Sequence, residues 1–315
     1  MTSCGTTTYT DPDDYRSSLP GVAIDLVLTG HDTFKARVAW AKLRHLTLVA
    51  IEEAARHIAF LSLDPSRVFI SFPTQGEPVW DGVRLRRGDF VVHGRGQRLH
   101  HLADGGMRWG VISMPAKELA SYGRTLLGED PTPGEAARLL RPTRKATSEL
   151  LRLHAHACRL AATRPELMAH REVARSVEQE LVLALVNMLA GDTAHQRGTI
   201  VQRRAAIMAR FEDALAANPE QPSLSNLCDT MGVPQRTLRT CCKTFLGCGP
   251  LEYMRMRRLN QARAALSKAD HETVTVAAVA RRHGFTEAGR FAGFYRALFG
   301  ESPSATLHRI SVESA

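Results

Sequence analysis

No apolar run in this 315-residue sequence approaches the ~20 residues that a membrane-spanning helix needs. The first stretch, Met1 to Pro20, is polar and acidic and lacks the apolar core of a secretion signal, so it reads as a disordered tail. Cytoplasm is therefore the expected location, with no membrane partner. Six cysteines (Cys4, Cys158, Cys228, Cys241, Cys242 and Cys248) show no CxxC spacing and no evenly distributed pairs. There is also no nucleophile triad, no phosphate-binding glycine loop and no metal-spaced cluster. No catalytic residue, cofactor or metal is assigned, and an enzyme is not expected.

What the chain does have is positive charge. Its formal charge is +9 and its isoelectric point about 9.6. Residues Thr199 to Ala315 hold sixteen Lys and Arg against ten Asp and Glu, net +6, while Met1 to Gly198 carries only +3. The shorter segment thus holds most of the excess, as expected of a surface that meets phosphate backbones.

That basic segment contains one pattern written twice. The first copy runs from Leu224 to Pro250 and the second from Val276 to Pro303. With Gly247 placed on Gly300 and Pro250 on Pro303, Leu238 falls on Phe291, Cys241 on Phe294, Cys242 on Tyr295 and Lys243 on Arg296. Each copy reads as a short helix, a glycine turn (Gly232, Gly284) and a second helix, the unit that lays a recognition helix in the DNA major groove. Leu227, Met231, Val233 and Leu238 occupy positions where two crossing helices must pack, and Cys228 and Ala280 are small where the helices approach most closely. Cys228, Cys241 and Cys242 fall on such packing positions, where free cysteine acts as a small hydrophobe.

These residues resemble the double helix-turn-helix domain of the AraC/XylS family of bacterial transcription regulators. The resemblance rests on Gly284-Phe285, Arg290-Phe291-Ala292, Tyr295-Arg296 and Leu298 to Pro303. In the first copy it rests on Arg236-Thr237-Leu238, Gly247, Pro250, Tyr253 and Arg258 to Arg263. The wording from Gly289 to Arg309 is similar to the branch that includes the ethanolamine-operon regulator. Cys242 departs from the aromatic residue usual there, which predicts a looser core in the first unit. The resemblance implies an activator that contacts RNA polymerase.

Ahead of this segment the pattern is β-rich. Arg67–Pro73, Gly82–Arg95, Gln97–Ala103 and Arg108–Pro115 are short, alternating and separated by Gly, Pro and Asp, as in a meander or barrel; Ala36–Asp64 is ambiguous in period. Arg87 to Val92 followed by His100 resembles a cupin-like ligand-binding domain. Trp80, His93, His100 and Trp109 are the candidate effector-binding residues. His100 and His101 would leave a strand on opposite faces, so at most one looks inward with His93. No HxH followed by a suitably spaced Glu supports a metal site there. Helices follow at Lys117–Leu127, Ala146–Thr163 and Pro165–Ala190, the last with an apolar stripe that either makes a homodimer contact or covers the barrel.

The expected fold is α+β: a cupin-like domain over 21–190 with a helical extension, a linker at 191–198 and an all-α DNA-binding domain over 199–315. A helix from Pro250 to Ser267, about 27 Å long, would set the two recognition helices into successive major grooves of double-stranded DNA. The first recognition helix starts near Pro234 and exposes Gln235, Arg236, Arg239, Thr240 and Lys243. The second, capped by Thr286, exposes Glu287, Ala288, Arg290, Gly293 and Arg296. Arg255, Arg257, Arg258 and Arg263 supply charge on the spacer. The function read from these features is a sequence-specific DNA-binding transcription regulator that responds to a small-molecule effector. The alternatives are a cupin-type metal-dependent enzyme and an effector-independent architectural DNA-binding protein.

Overall fold

The computed structural model describes residues 3–190, 195–196, 199–217 and 222–308. Its amino-terminal half opens with β1 (Ser3–Tyr9), α1 (Pro12–Tyr15), β2 (Val22–Leu28), β3 (Ala36–Lys42), β4 (Thr47–Glu53), β5 (Arg56–Leu63) and β6 (Arg67–Gln75). There follow β7 (Val79–Trp80), β8 (Val83–Arg84), β9 (Phe90–Val92), β10 (Arg98–Asp104) and β11 (Met107–Pro115). The strands form two antiparallel sheets, one in the order β1-β3-β4-β11-β6-β9 and the other in the order β2-β5-β10-β7-β8. Segment 3–9, expected to belong to a disordered tail, instead pairs with β3 along its whole length, from Ser3 against Lys42 to Tyr9 against Ala36. Tyr15 anchors the segment after it: its ring is buried, and its hydroxyl donates to Glu53 Oε1 at 2.7 Å.

The inner faces of the two sheets meet in one core built from alternate residues, among them Val49 and Ile51 of β4, Ala59 and Leu61 of β5, and Trp109 and Val111 of β11. The outer face of the first sheet is covered by α2 (Ala116–Leu127), α3 (Arg144–Thr163), α4 (Pro165–Ala169) and α5 (Arg171–Ala190), with β12 (Arg138–Leu140) extending the sheet from β9. The helix expected over 165–190 is broken at His170, whose extended backbone (ψ 122°) separates α4 from α5. Leu181, Leu185 and Met188 of α5 point into this second core. The linker expected at 191–198 lies outside the described residues, apart from β13 (His195–Gln196), which pairs with β12.

The carboxyl-terminal half is helical: α6 (Thr199–Ala217), α7 (Leu224–Met231), α8 (Gln235–Leu246), α9 (Pro250–Ser267), α10 (Val276–Arg282), α11 (Ala288–Phe299) and α12 (Pro303–His308). No helix among the described residues is long and apolar enough to cross a membrane. The two halves share cores. Val27 and Ile58, on the outer face of the second sheet, pack with α6, α7 and α8, while Leu259, Val279, Phe291 and Tyr295 belong to the same cluster as the barrel interior.

Candidate nucleic-acid interface

Each half of the repeat folds as a helix pair with its own local logic. In the first, the Ser223 hydroxyl accepts from Asn226 N at 3.1 Å and starts α7, and Gly232, at φ +60°, ends it. That left-handed conformation costs least for glycine. Pro234 is the N-cap of α8 rather than a member of its first turn. Leu238, Cys241, Cys242, Phe245 and Leu246 form the buried side of α8 against Met208 and Phe211 of α6. In the second unit the Thr275 hydroxyl caps α10. The N-cap of α11 is Glu287, one residue after the expected Thr286, with no side-chain capping bond.

The two cores differ in chemistry. Phe285, Phe291, Tyr295 and Phe299 form a ladder with successive ring centroids 5.0, 5.5 and 4.7 Å apart. The first unit places Cys242, completely buried, where the second has Tyr295. Burial raises the Cys242 thiol and pushes Cys248 up to about 12, which keeps both as neutral packing groups at ordinary pH.

Opposite these cores the recognition helices are open. Gln235, Arg236, Arg239, Thr240 and Lys243 of α8 are all exposed, as are Ala288, Arg290, Gly293 and Arg296 of α11 and its N-cap Glu287. Some are already engaged locally. Lys243 Nζ donates to the Gly247 carbonyl at 2.9 Å, the Thr240 hydroxyl to the Arg236 carbonyl at 3.0 Å, and Arg290 pairs with Glu287 at 3.1 Å. Exposed pairs of this kind hold weakly and can exchange for phosphate or base contacts. Tyr295 is buried and Phe294 is exposed, with the Arg255 guanidinium 4.5 Å from the Phe294 ring centroid.

The spacer α9 has the predicted ends, and its arginines do more than face solvent. Arg258 lies over Phe285 and Arg263 over Phe299, at 5.3 and 4.8 Å. With Arg255 they fasten the second unit to the spacer by cation–π contacts. Arg257 turns the other way, into the junction with the barrel. Glu212 of α6 is buried there and accepts from Arg257, from the Tyr253 hydroxyl at 2.7 Å and from His100 Nε2 of β10 at 2.9 Å. Arg257 also reaches Asp25 of β2 at 2.7 Å. Burial alone would raise the Glu212 carboxyl; His100, Arg257 and Tyr253 outweigh it and hold the group below the usual carboxylate range. Asn260 completes the junction. Its Oδ1 accepts from Leu28 N at 2.9 Å and its Nδ2 donates to Leu28 O at 3.0 Å, so the side-chain amide pairs with the edge strand β2 as a neighbouring strand would. Sequence reading missed Glu212, Asp25 and Asn260. Nothing local marks them, because their role exists only once the two halves are docked.

The barrel also touches α8 itself. Gly82, at φ +76° in the turn between β7 and β8, lies against Thr244, and Leu102 lies against Gly247. The amino-terminal half therefore sits beside the exposed face of the first recognition helix.

Of the four candidate effector residues, the structure gathers three. Trp80 stacks on His93 with centroids 5.3 Å apart and meets Trp109 edge-on at 5.7 Å. All three border a void of about 20 Å3 between the sheets, room for about one water molecule. His100 lies on the other face of β10, with Glu212, and its place inside the barrel is taken by His101, 5.3 Å from Trp80 and 5.4 Å from Trp109. His93 Nε2 is bonded to the Ser71 hydroxyl at 3.0 Å.

Known proteins resemble part of this chain. A probable thc operon regulatory protein of Rhodococcus erythropolis is 35% identical over 99 residues, 31% of this chain and 30% of that protein. The XylDLEGF operon transcriptional activator 2 of Pseudomonas putida is 39% identical over 85 residues, 27% of this chain and 54% of that protein. The chain thus spans about a third to a half of the length of these curated relatives. Among solved structures, the AraC-like transcriptional activator CuxR aligns over 82% of this chain and 95% of its own, at 16% identity and a TM-score of 0.45. Residues 227–309 match the family model described as a helix-turn-helix domain.

Proposed function

We propose that the chain is a sequence-specific regulator of transcription that reads double-stranded DNA through α8 and α11 and is controlled through its amino-terminal barrel. The observation that carries this reading is the pair of helix-turn-helix units, each buried on one side and exposed on the other, joined by one continuous helix. In this reading Arg236 and Arg239 on α8 read bases, with Gln235 beside them, and Lys243 meets phosphate; their exposure supports it. On α11, Arg296 is the principal contact and Ala288, Glu287 and Arg290 line the approach. Because this second face offers fewer hydrogen-bonding groups, it discriminates less among bases than α8 does.

Activation as the sign of regulation is supported by the operon transcriptional activators that part of the chain is similar to, and RNA polymerase is the protein partner in this reading. Within that class the wording from Gly289 to Arg309 favours the ethanolamine-regulator branch. The barrel is the effector-binding domain in this reading, with Trp80, His93 and Trp109 around its inner void and His100 at the contact with α6. An effector acts by shifting how the barrel grips α6, α8 and α9. A homodimer contact belongs on the open side of α5, where the exposed Leu183 and Leu126 border a groove of about 1000 Å3. The location is the cytoplasm, and the role is regulatory rather than enzymatic.

The test is selection of bound fragments from genomic DNA, followed by footprinting at two salt concentrations. The expected result is a protected region covering two adjacent major grooves, with affinity that falls as salt rises. Absence of any DNA binding, with or without small-molecule extracts, would sink the reading.

A further inference from the structure

Three chemistry-bearing side chains meet between the sheets at a place the regulator reading does not use. Glu53 ends β4, His57 stands near the start of β5 and His101 lies in β10. All three point inward by the period-two alternation of their strands, in register with core residues Ile51, Ala59 and Leu99. Their exposures are 3%, 0% and 1%. One ligand atom from each, a carboxylate oxygen and two ring nitrogens, fits within a span of 4.8 Å.

The hydrogen bonding singles these atoms out. His57 Nδ1 lies 3.0 Å from the Ala55 carbonyl, which places the ring proton on Nδ1 and leaves the Nε2 lone pair bare. That nitrogen is 3.5 Å from Glu53 Oε1. Neither His57 Nε2 nor His101 Nε2 has a hydrogen-bond partner. Two unsatisfied ring nitrogens deep in one core are each costly, and here both residues sit beside the same carboxylate. Glu53 is held in place by two donors, the Tyr15 hydroxyl on Oε1 and Trp109 Nε1 on Oε2, both at 2.7 Å. A ring nitrogen tied to a backbone carbonyl and a carboxylate steadied by aromatic donors are the outer contacts that orient metal ligands. The other barrel histidines on this strand pair and its neighbour are engaged elsewhere, His93 with Ser71 and Gln97, His100 with Glu212.

We propose that Glu53, His57 and His101 bind one divalent first-row transition-metal ion of the zinc or ferrous class. Two imidazoles and one carboxylate, with no thiolate, suit these ions better than calcium or magnesium. Metal–ligand bonds of about 2.1 Å set tetrahedral edges of about 3.4 Å, close to the existing Glu53–His57 separation, so His101 makes most of the adjustment. One carboxylate on a dication leaves a net positive centre and a fourth position, which a water or hydroxide fills. Pattern reading passed over the site because its residues come from three strands in two sheets and follow no HxH spacing. The proposal is independent of what the carboxyl-terminal half does.

The experiment uses the full chain, stripped with a chelator and titrated with Co2+ as a spectroscopic stand-in for zinc. Wild type should take up one ion, develop visible d–d bands and gain thermal stability. His57→Gln and His101→Gln should each weaken uptake at least tenfold and abolish the bands. For a variant that fails to fold, Cu2+ bound to wild type supplies the answer, since its paramagnetic resonance should carry hyperfine splitting from two imidazole nitrogens. Uptake well below one ion per chain, a sulfur-to-cobalt charge-transfer band, splitting from fewer than two nitrogens, or undiminished uptake by the folded variants would overturn the assignment.

Discussion

His100 and His101 are chain neighbours whose rings leave β10 on opposite sides: His100 Nε2 lies 2.9 Å from Glu212 in α6, and His101 packs 5.4 Å from Trp109 inside the barrel. One strand therefore presents one face to the barrel interior and the other to the helical half. Any rearrangement around Trp80 and Trp109 that moves β10 also moves the group that holds Glu212.

Glu212→Gln should loosen this junction. Removing one partner from a buried charge cluster costs about 3 kcal/mol, measurable by urea unfolding at neutral pH. The sign of the pH effect follows from the lowered pKa of Glu212. Its contribution is fully present above the unfolded value near 4.5 and is lost as pH falls through the lower folded value. Wild type and variant should converge in acid; a constant gap down to pH 3 would mean that the charge of Glu212 is not what stabilises the junction.

Asn260→Ala removes both hydrogen bonds to Leu28 and leaves the backbone of an edge strand without its partner. The expected loss is about 1–3 kcal/mol. Amide hydrogen exchange at Leu28 should accelerate more than at Ala59 in the sheet interior; equal acceleration would show a general effect instead.

Arg239→Ala should weaken binding to a mapped operator by about 1–3 kcal/mol and relax preference at one base position. Lys243→Ala should lower affinity evenly across sequences and reduce the salt slope by about one. If Arg239→Ala leaves operator affinity unchanged, Arg239 is not a base-reading residue.

His154, buried in α3 with Nε2 3.1 Å from the Val49 carbonyl, is lowered to about 4 by burial. The unfolded chain takes up this proton first, so stability is intact above pH 6.5 and declines between 6.5 and 4. From pH 7.5 to 5.5 the loss from this group should be about 1 kcal/mol. His154→Gln should flatten that part of the curve; an unchanged slope would assign it to other groups.

The carboxyl-terminal half was legible because packing of two crossing helices dictates residue size at fixed spacing, and the spacing occurs twice. Helix α9 runs from Pro250 to Ser267, the bounds expected from the sequence. The strands before Arg67 were illegible for a physical reason. Strands β4 and β5 are buried on both faces, one between barrel interior and α3, the other between barrel interior and α8, so the alternation that marks a half-exposed strand is erased. The candidate set names His100 where the structure turns His101 inward, for a related reason: a one-residue register change swaps the two. The arginines of α9 misled because a charged helix face resembles a solvated one, whereas Arg258 and Arg263 lie on aromatic rings and Arg257 is enclosed by Glu212 and Asp25.

The shared cores have a consequence for how this chain can be divided. Val27 and Ile58 are part of the packing around Phe211 and Phe245, and Leu259 and Phe291 are part of the packing that reaches Trp80. A cut anywhere in 191–198 yields two fragments that each expose an apolar face, and it parts Glu212 from His100 and Asp25 from Arg257. A chimaera that grafts a foreign reader onto residues 1–190 inherits the same mismatch unless the outer face of β2, β5 and β10 is redesigned with it. The interchangeable unit is therefore not the helical half alone but that half together with the sheet surface that clasps it.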